Sequence, residues 1–360
     1  MKLVTAPAAP GLFSGGLSAR SRTVTPIIIA AVSVCVAGLL ALAVGKAPLS
    51  PALPYELLLS RFGLAASAPA SSTAETILLE IRLPRIVLAG LVGAALAVAG
   101  ATYQGVFRNP LADPYLLGVA SGASLGAVLA FVLPIPADLS RGGAVQVLAF
   151  VGANIAVVLV YLIARIGGSV PTTTLLLAGI AISAAASAAT AYLMYIRGDQ
   201  LLVIYSWLLG GFNVATWHEV RLITPMVLLS TGLMVLGGRV MNTMQFGEEQ
   251  AAALGIAVEP AKLLLIGAAT LATAAAVSVG GLIGFVGLVV PHITRLLIGP
   301  DYRRLAPTAA LLGAAFLITA DTGARAAAGP SEVPVGVITA AVGAPFFLLL
   351  LRRQKRIAFW

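Results

Sequence analysis

The sequence predicts an all-α, polytopic membrane protein with about ten transmembrane helices, on three observations. Of its 360 residues, 59% are hydrophobic and only 10% are charged, where soluble domains carry roughly a quarter charged residues. The apolar runs are about twenty residues long, the length a helix needs to cross about 30 Å of hydrocarbon. They do not alternate polar with apolar, as barrel strands must. The bilayer core holds no water, so spanning backbone must pair internally, and long unalternating runs select helices.

The elements follow in order. Residues 1–25 are rich in Pro, Gly, Ser and Ala and predict a mobile cytoplasmic tail. The run from Ile27 to Val44 exceeds a signal-peptide core and lacks a cleavage site, so it predicts a retained first helix. Cys35, the single cysteine, falls inside it and predicts a small lipid-facing or packing residue, since neither a disulfide nor a thiolate metal site is available. The segment Lys46 to Ile81 is polar and proline-rich and predicts an outer loop. Further spans are predicted at 83–106, 115–133, 144–165, 172–196, 222–240, 261–282, 284–298, 305–325 and 333–351. Residues 197–221 carry Trp207 and Trp217, aromatics suited to a membrane interface. The membrane domain is thus 26–351, followed by a basic tail at 352–360.

An inside N-terminus and ten crossings bring the C-terminus inside, beside Arg352, Arg353, Lys355 and Arg356. Well over half of the 22 Lys and Arg then lie inside, as the positive-inside rule expects. The net charge of +9 is scattered singly between apolar runs, which excludes a nucleic-acid stripe. Arg82, Arg85 and Arg325 stay outside against the bias. Snorkelling anchors are one reading of them.

Several chemistries lack their parts. The only Gly-Lys pair, Gly45-Lys46, is followed by Ala47, so no phosphate-binding loop of the Gly-x-x-x-x-Gly-Lys-Ser/Thr type exists. His218-Glu219 has no second His two residues on, which excludes the common zinc hydrolase set. No cofactor or metal site is expected. His292, after Pro291 in the eighth span, predicts a buried neutral imidazole bonded to nearby backbone rather than a ligand. Gly118, Gly122 and Gly126 recur every four residues, as do Gly280 and Gly284, spacing that suits close helix packing within a subunit or at a dimer seam.

Three ordered blocks carry a resemblance. The first holds Arg82-Leu-Pro-Arg85, Leu91-Val-Gly-Ala-Ala, Gln104, Arg108-Asn-Pro-Leu-Ala-Asp-Pro114, Leu117-Gly and Ser121-Gly-Ala. The second is Phe246-Gly-Glu-Glu-Gln-Ala-Ala-Ala-Leu-Gly255. The third runs from Gly284-Phe-Val-Gly-Leu-Val-Val-Pro-His292 through Ala320-Asp321 and Glu332-Val-Pro-Val-Gly336 to Gly343-Ala-Pro-Phe-Phe347. Together they resemble the permease family of type II ABC importers for iron chelates, haem and vitamin B12. The resemblance implies a permease that performs no covalent chemistry and works as a homodimer in the cell inner membrane. Two ATP-binding subunits would sit below it and a substrate-binding protein outside. Its cargo would be an iron chelate, ferric siderophore first, then haem, then cobalamin. The rival class is an ion-coupled secondary transporter, which places several charges at the membrane midplane.

The same resemblance assigns roles. Gly247, Glu248, Glu249, Ala252, Leu254 and Gly255, within a coupling segment of about 246–258, would meet the ATPase. Acidic residues in a first helical turn suit its dipole, with a solvated loop carrying capping glutamates as the lesser alternative from the residues alone. Arg82, Arg85 and Arg325 would dock the binding protein, guanidinium being fit for bidentate carboxylate recognition. Asn109, Leu111, Thr172 and Thr173 match positions that narrow the inner end of the path, with plain turn caps as the alternative. Asp321, four residues before Arg325, has the spacing of an intrahelical pair and predicts a structural or orienting role.

Overall fold

The computed structural model describes residues 21–45, 50, 52–61, 63, 72–135, 143–167, 169–327 and 332–357. Most of the expected N-terminal tail, residues 1–20, lies outside them, as do 358–360. Among the described residues the protein is helical, with one isolated antiparallel bridge between Ile166 and Ser169. The helices are α1 (Ser21–Ala43), α2 (Leu53–Arg61), α3 (Ser72–Thr76), α4 (Leu83–Val106), α5 (Val119–Val132), α6 (Ala144–Ala164), α7 (Thr172–Ile196) and α8 (Leu201–Leu208). They continue as α9 (Trp217–Leu236), α10 (Gly238–Met244), α11 (Glu248–Ala253), α12 (Val258–Gly280), α13 (Val286–Ile298), α14 (Tyr302–Ala326) and α15 (Val335–Ile357). A π-helical turn, Ile77–Arg82, joins α3 to α4. Seven helical runs are long and apolar enough to cross a membrane, and α5, α13 and the apolar part of α15 are shorter apolar helices. The ten predicted spans all coincide with these.

Boundaries moved where local chemistry acts earlier than hydropathy. The Thr216 side chain and Glu219 form a reciprocal capping box, which starts α9 at Trp217 rather than 222. Asp301 accepts from the Arg303 N–H and starts α14 at Tyr302 rather than 305. The last helix continues through the basic stretch to Ile357. The expected outer loop holds two short helices, α2 and α3, and the Trp207 segment is itself helix α8.

Helix α4 is the core. It packs against α9, α12, α13 and α14, and nearly every residue from Leu88 on is buried. Small residues permit this. A Cβ on Gly93 would lie 2.2 Å from the Gly313 carbonyl oxygen, and one on Gly100 closer still to that of Gly287, so backbones touch where lipid gives no hydrophobic drive for association. The predicted Gly122 and Gly126 spacing seats α5 on α6, against Gly152 and Leu148 of the same chain. Gly280 and Gly284 do not share a helix. Gly280 ends α12, and Gly284 lies in an irregular linker before α13 with open space around it.

The outer helices show the opposite face. Ile28, Ile29, Leu40, Ile155, Leu162, Leu177 and Leu228 are all exposed, a surface that water would penalise and a bilayer accepts. Cys35 on α1 is exposed among them, as expected of a lipid-facing residue.

Candidate functional site: polar clusters at opposite ends of the bundle

Two clusters of charged side chains lie at the two ends of α4. Arg85 and Gly105, one in each neighbourhood, are twenty residues apart on one helix, a rise of about 30 Å, which equals the hydrocarbon thickness.

At the first end, Asp321 is 1% exposed. Its carboxylate accepts from Arg85 Nε at 3.0 Å and Nη2 at 2.8 Å, and from Arg325 Nε at 3.2 Å. Arg85 Nη1 also reaches Glu332 at 2.8 Å. Arg82 donates to the Leu42 carbonyl at 2.6 Å, and Arg325 to those of Val44 and Ala41 at 2.6 and 3.1 Å. Ala41 and Leu42 hold two of the last carbonyls of α1 and Val44 follows its end, where carbonyls have no partner within the helix. All three arginines expected to face a docking partner are therefore buried and held by acceptors of their own chain. The i, i+4 pairing of Asp321 with Arg325 is present. Glu332 and the α1 carbonyls were missed by sequence reasoning, although Glu332 opens one of the quoted blocks.

Beside this end is a cavity of about 390 Å³, lined among others by Phe131, Gln146, Trp207, Gly281 and Glu332. The linker below it, residues 281–285, is held by Tyr115, whose hydroxyl donates to the Ile283 carbonyl at 3.0 Å and accepts from the Ile283 N–H at 3.1 Å. Phe285 adopts a left-handed φ of 67° to start α13. Irregular backbone at membrane depth requires such a partner.

At the other end, Gly247 has φ 115°, a conformation glycine adopts readily, and turns the chain into α11. The two glutamates that follow have different surroundings. Glu248 accepts from Lys262 Nζ at 3.2 Å, whereas Glu249 is exposed. Lys262 is itself 4% exposed and also donates to Glu259 at 3.2 Å and to the Val170 carbonyl at 3.0 Å. Ala251 is fully buried and seats α11, leaving Ala252 and Gly255 exposed and Phe246 and Leu254 with 72% and 69% of their surface free.

Residues next to the expected gate positions lie against this segment. Arg108, at a left-handed φ of 49°, places its guanidinium beside Gly247, and Gln245 donates to the Gly105 carbonyl at 3.0 Å. Asn109 accepts from the Leu111 N–H at 2.9 Å, so its amide oxygen closes a turn. Thr172 begins α7 behind Pro171, which holds the cap position without a side-chain bond, and Thr173 is exposed. Asp301 accepts from Asn242 at 2.6 Å. Partial burial raises its carboxyl pKa, but the bonds from Asn242 and the Arg303 N–H and the charges of Arg303 and Arg304 outweigh that and hold it below the usual value.

His292 departs from expectation. Neither ring nitrogen has a hydrogen-bond partner among the described residues, and the ring meets Phe346 edge-on at 6.0 Å between centroids. Apolar packing on α13 takes the place of the expected backbone bond.

The sequence model of the FecCD transport family matches residues 31–353. The chain is 46% identical to the cobalamin import system permease protein BtuC of Halobacterium salinarum, over 85% of this chain and 81% of that protein. It is 46% identical to the hemin transport system permease protein HmuU of Yersinia pestis, over 77% and 83%. Against the Fe(3+)-citrate import system permease protein YfmE of Bacillus subtilis it is 37% identical over 94% and 97%. A solved structure described as an inward-facing conformation of a metal-chelate type ABC transporter superposes with a TM-score of 0.79 at 28% identity, over 91% of this chain and 99% of that one.

Proposed function

The chain belongs to the FecCD transport family, and from that footing we propose that it passes a metal chelate inward through a channel it forms with a second copy of itself. It is a transmembrane permease subunit of an ATP-binding-cassette importer, with the type II permease fold. Two ATPase subunits supply the energy at α11, and a substrate-binding protein delivers the cargo at the Asp321 end. Both termini and α11 face the cytoplasm, the membrane being the cell inner membrane.

One observation carries the coupling assignment. Helix α11 presents Phe246, Glu249 and Leu254 outward while Glu248 ties the same short helix to a buried lysine. A rigidly held helix with an apolar and acidic outer face suits a partner that must push on it. Arg108 beside Gly247 and Val170 on Lys262 bring the neighbours of Asn109, Leu111, Thr172 and Thr173 to this segment, which supports an inner constriction there. Docking at the opposite end uses the surface around Glu332, whose side chain is 24% exposed; a partner's carboxylate competes with Glu332 for Arg85. Because Arg82, Arg85 and Arg325 are buried, their replacement tests stability before docking.

An iron chelate, ferric siderophore first, remains the proposed cargo, in keeping with the relative whose name specifies ferric citrate. A cobalamin or haem cargo is the second reading, favoured by the two relatives at 46% identity. The test is uptake into proteoliposomes holding the permease, its ATPase subunits and binding protein, offered ferric siderophore, hemin and cobalamin in turn. ATP-dependent uptake of one of them is expected. Uptake driven by a proton gradient without any ATPase subunit overturns the importer reading in favour of a secondary transporter.

A further inference from the structure

Lys262 sits in the first turns of α12, where an apolar helix enters the bundle, and its ammonium group is almost wholly removed from solvent. It has three N–H donors, and three acceptors meet them: Glu248 of α11 at 3.2 Å, Glu259 of α12 at 3.2 Å and the Val170 carbonyl at 3.0 Å. Those acceptors belong to three separate pieces of chain. Val170 immediately precedes Pro171 and Thr172, the start of α7, and Glu248 opens the six-residue helix α11. A buried cation is costly unless fully paired, so the three pieces are held to one point and must either move together or expose the charge.

The geometry points to Lys262 as the positioning residue that transmits displacement of α11 to the inner mouth at Thr172 and Thr173. The inference rests on the reading of α11 as the ATPase contact and goes beyond it, because Lys262 is itself almost wholly buried and reaches α11 through the Glu248 carboxylate. An ammonium suits the task, being a compact point charge that satisfies acceptors in three directions, where a planar guanidinium does not.

The experiment uses the full complex in proteoliposomes, with the permease carrying Cys35→Ala and spin labels at Ser169→Cys and Ala253→Cys, both exposed positions. With Lys262 present, the distance between the labels stays the same when Mg-ATP is added and when ADP-vanadate traps the complex. In Lys262→Met the same distance changes on nucleotide addition, while ATPase subunits still co-purify and hydrolyse ATP. Substrate moved per ATP falls about tenfold, the scale of losing one coupling contact, and Lys262→Arg, which keeps the charge, restores part of it. Glu259→Gln, which takes one of the two negative charges from Lys262, is the milder variant should Lys262→Met not accumulate; it lowers substrate per ATP by a smaller factor. A label distance that varies with nucleotide while Lys262 is intact, or unchanged substrate per ATP in Lys262→Met, overturns the inference while leaving α11 as the ATPase contact. Unchanged co-purification of the ATPase after Glu249→Lys instead removes that contact as the premise, and the inference with it.

Discussion

Asp321 shows how much one residue can organise when water is excluded. Its two oxygens serve Arg85 and Arg325 at once, and both guanidiniums lose most of their hydration to reach it. Asp321→Asn leaves them facing a neutral amide. Breaking a buried charge pair by removing one partner costs about 3–5 kcal/mol, so the variant is expected to unfold at a clearly lower temperature in detergent. Glu332→Gln removes a partly exposed carboxylate and costs about 1 kcal/mol or less. Equal melting temperatures for the two variants contradict the central place of Asp321. The i, i+4 spacing made the bond to Arg325 legible in the sequence, because helix geometry alone creates it. Arg85 lies 236 positions away, and nothing local links it to Asp321; only the packing of α14 on α4 does. Lys262 was equally silent, though a lone lysine inside an apolar span is itself a signal that some partner exists.

At the scale of elements, the sequence was most legible where period and length decide, and least where a helix breaks. The ten apolar runs were found because each must span the same thickness. The caps that moved the edges of α9 and α14 were present in the sequence as Thr216 with Glu219 and as Asp301, but hydropathy does not register them. The break between α12 and α13 was expected near residue 283, but Gly280 and Gly284 beside it were read as a packing pair, whereas the structure makes the segment a linker dependent on Tyr115. Tyr115→Phe keeps the ring and deletes both hydrogen bonds to Ile283. An N–H and a carbonyl left unsatisfied at that depth cost about 1–3 kcal/mol each when buried. The expected result is faster hydrogen exchange at the Ile283 amide and a lower unfolding temperature, with α4 and α12 exchange little changed. Wild-type protection of Ile283 in that variant shows that another group holds the linker.

The molecule as a whole is two charged ends joined by close-packed apolar helices, and its topology follows from that division. Glycine contacts bind α4 to α13 and α14 and carry no charge through the interior, while Asp321 with its arginines and Lys262 with its glutamates stand about one helix length of α4 apart. The order of the motifs made this arrangement readable only through resemblance; the residues alone could place neither cluster around a common centre. If the spacing matches the bilayer, exposed residues near the two ends must meet different compartments. Val214, 75% exposed beside the cavity at the Asp321 end, and Leu254, 69% exposed on the segment around α11, are the positions to compare. In a Cys35→Ala background, a membrane-impermeant maleimide applied to intact cells is expected to modify Val214→Cys and to reach Leu254→Cys only after permeabilisation. The even number of crossings between Leu254 and the end of α15 then keeps α11 and Ile357 on one face. Modification of both cysteines from the same side means that the length of α4 does not map onto the membrane normal, and an ATPase could not act at one end while cargo arrives at the other.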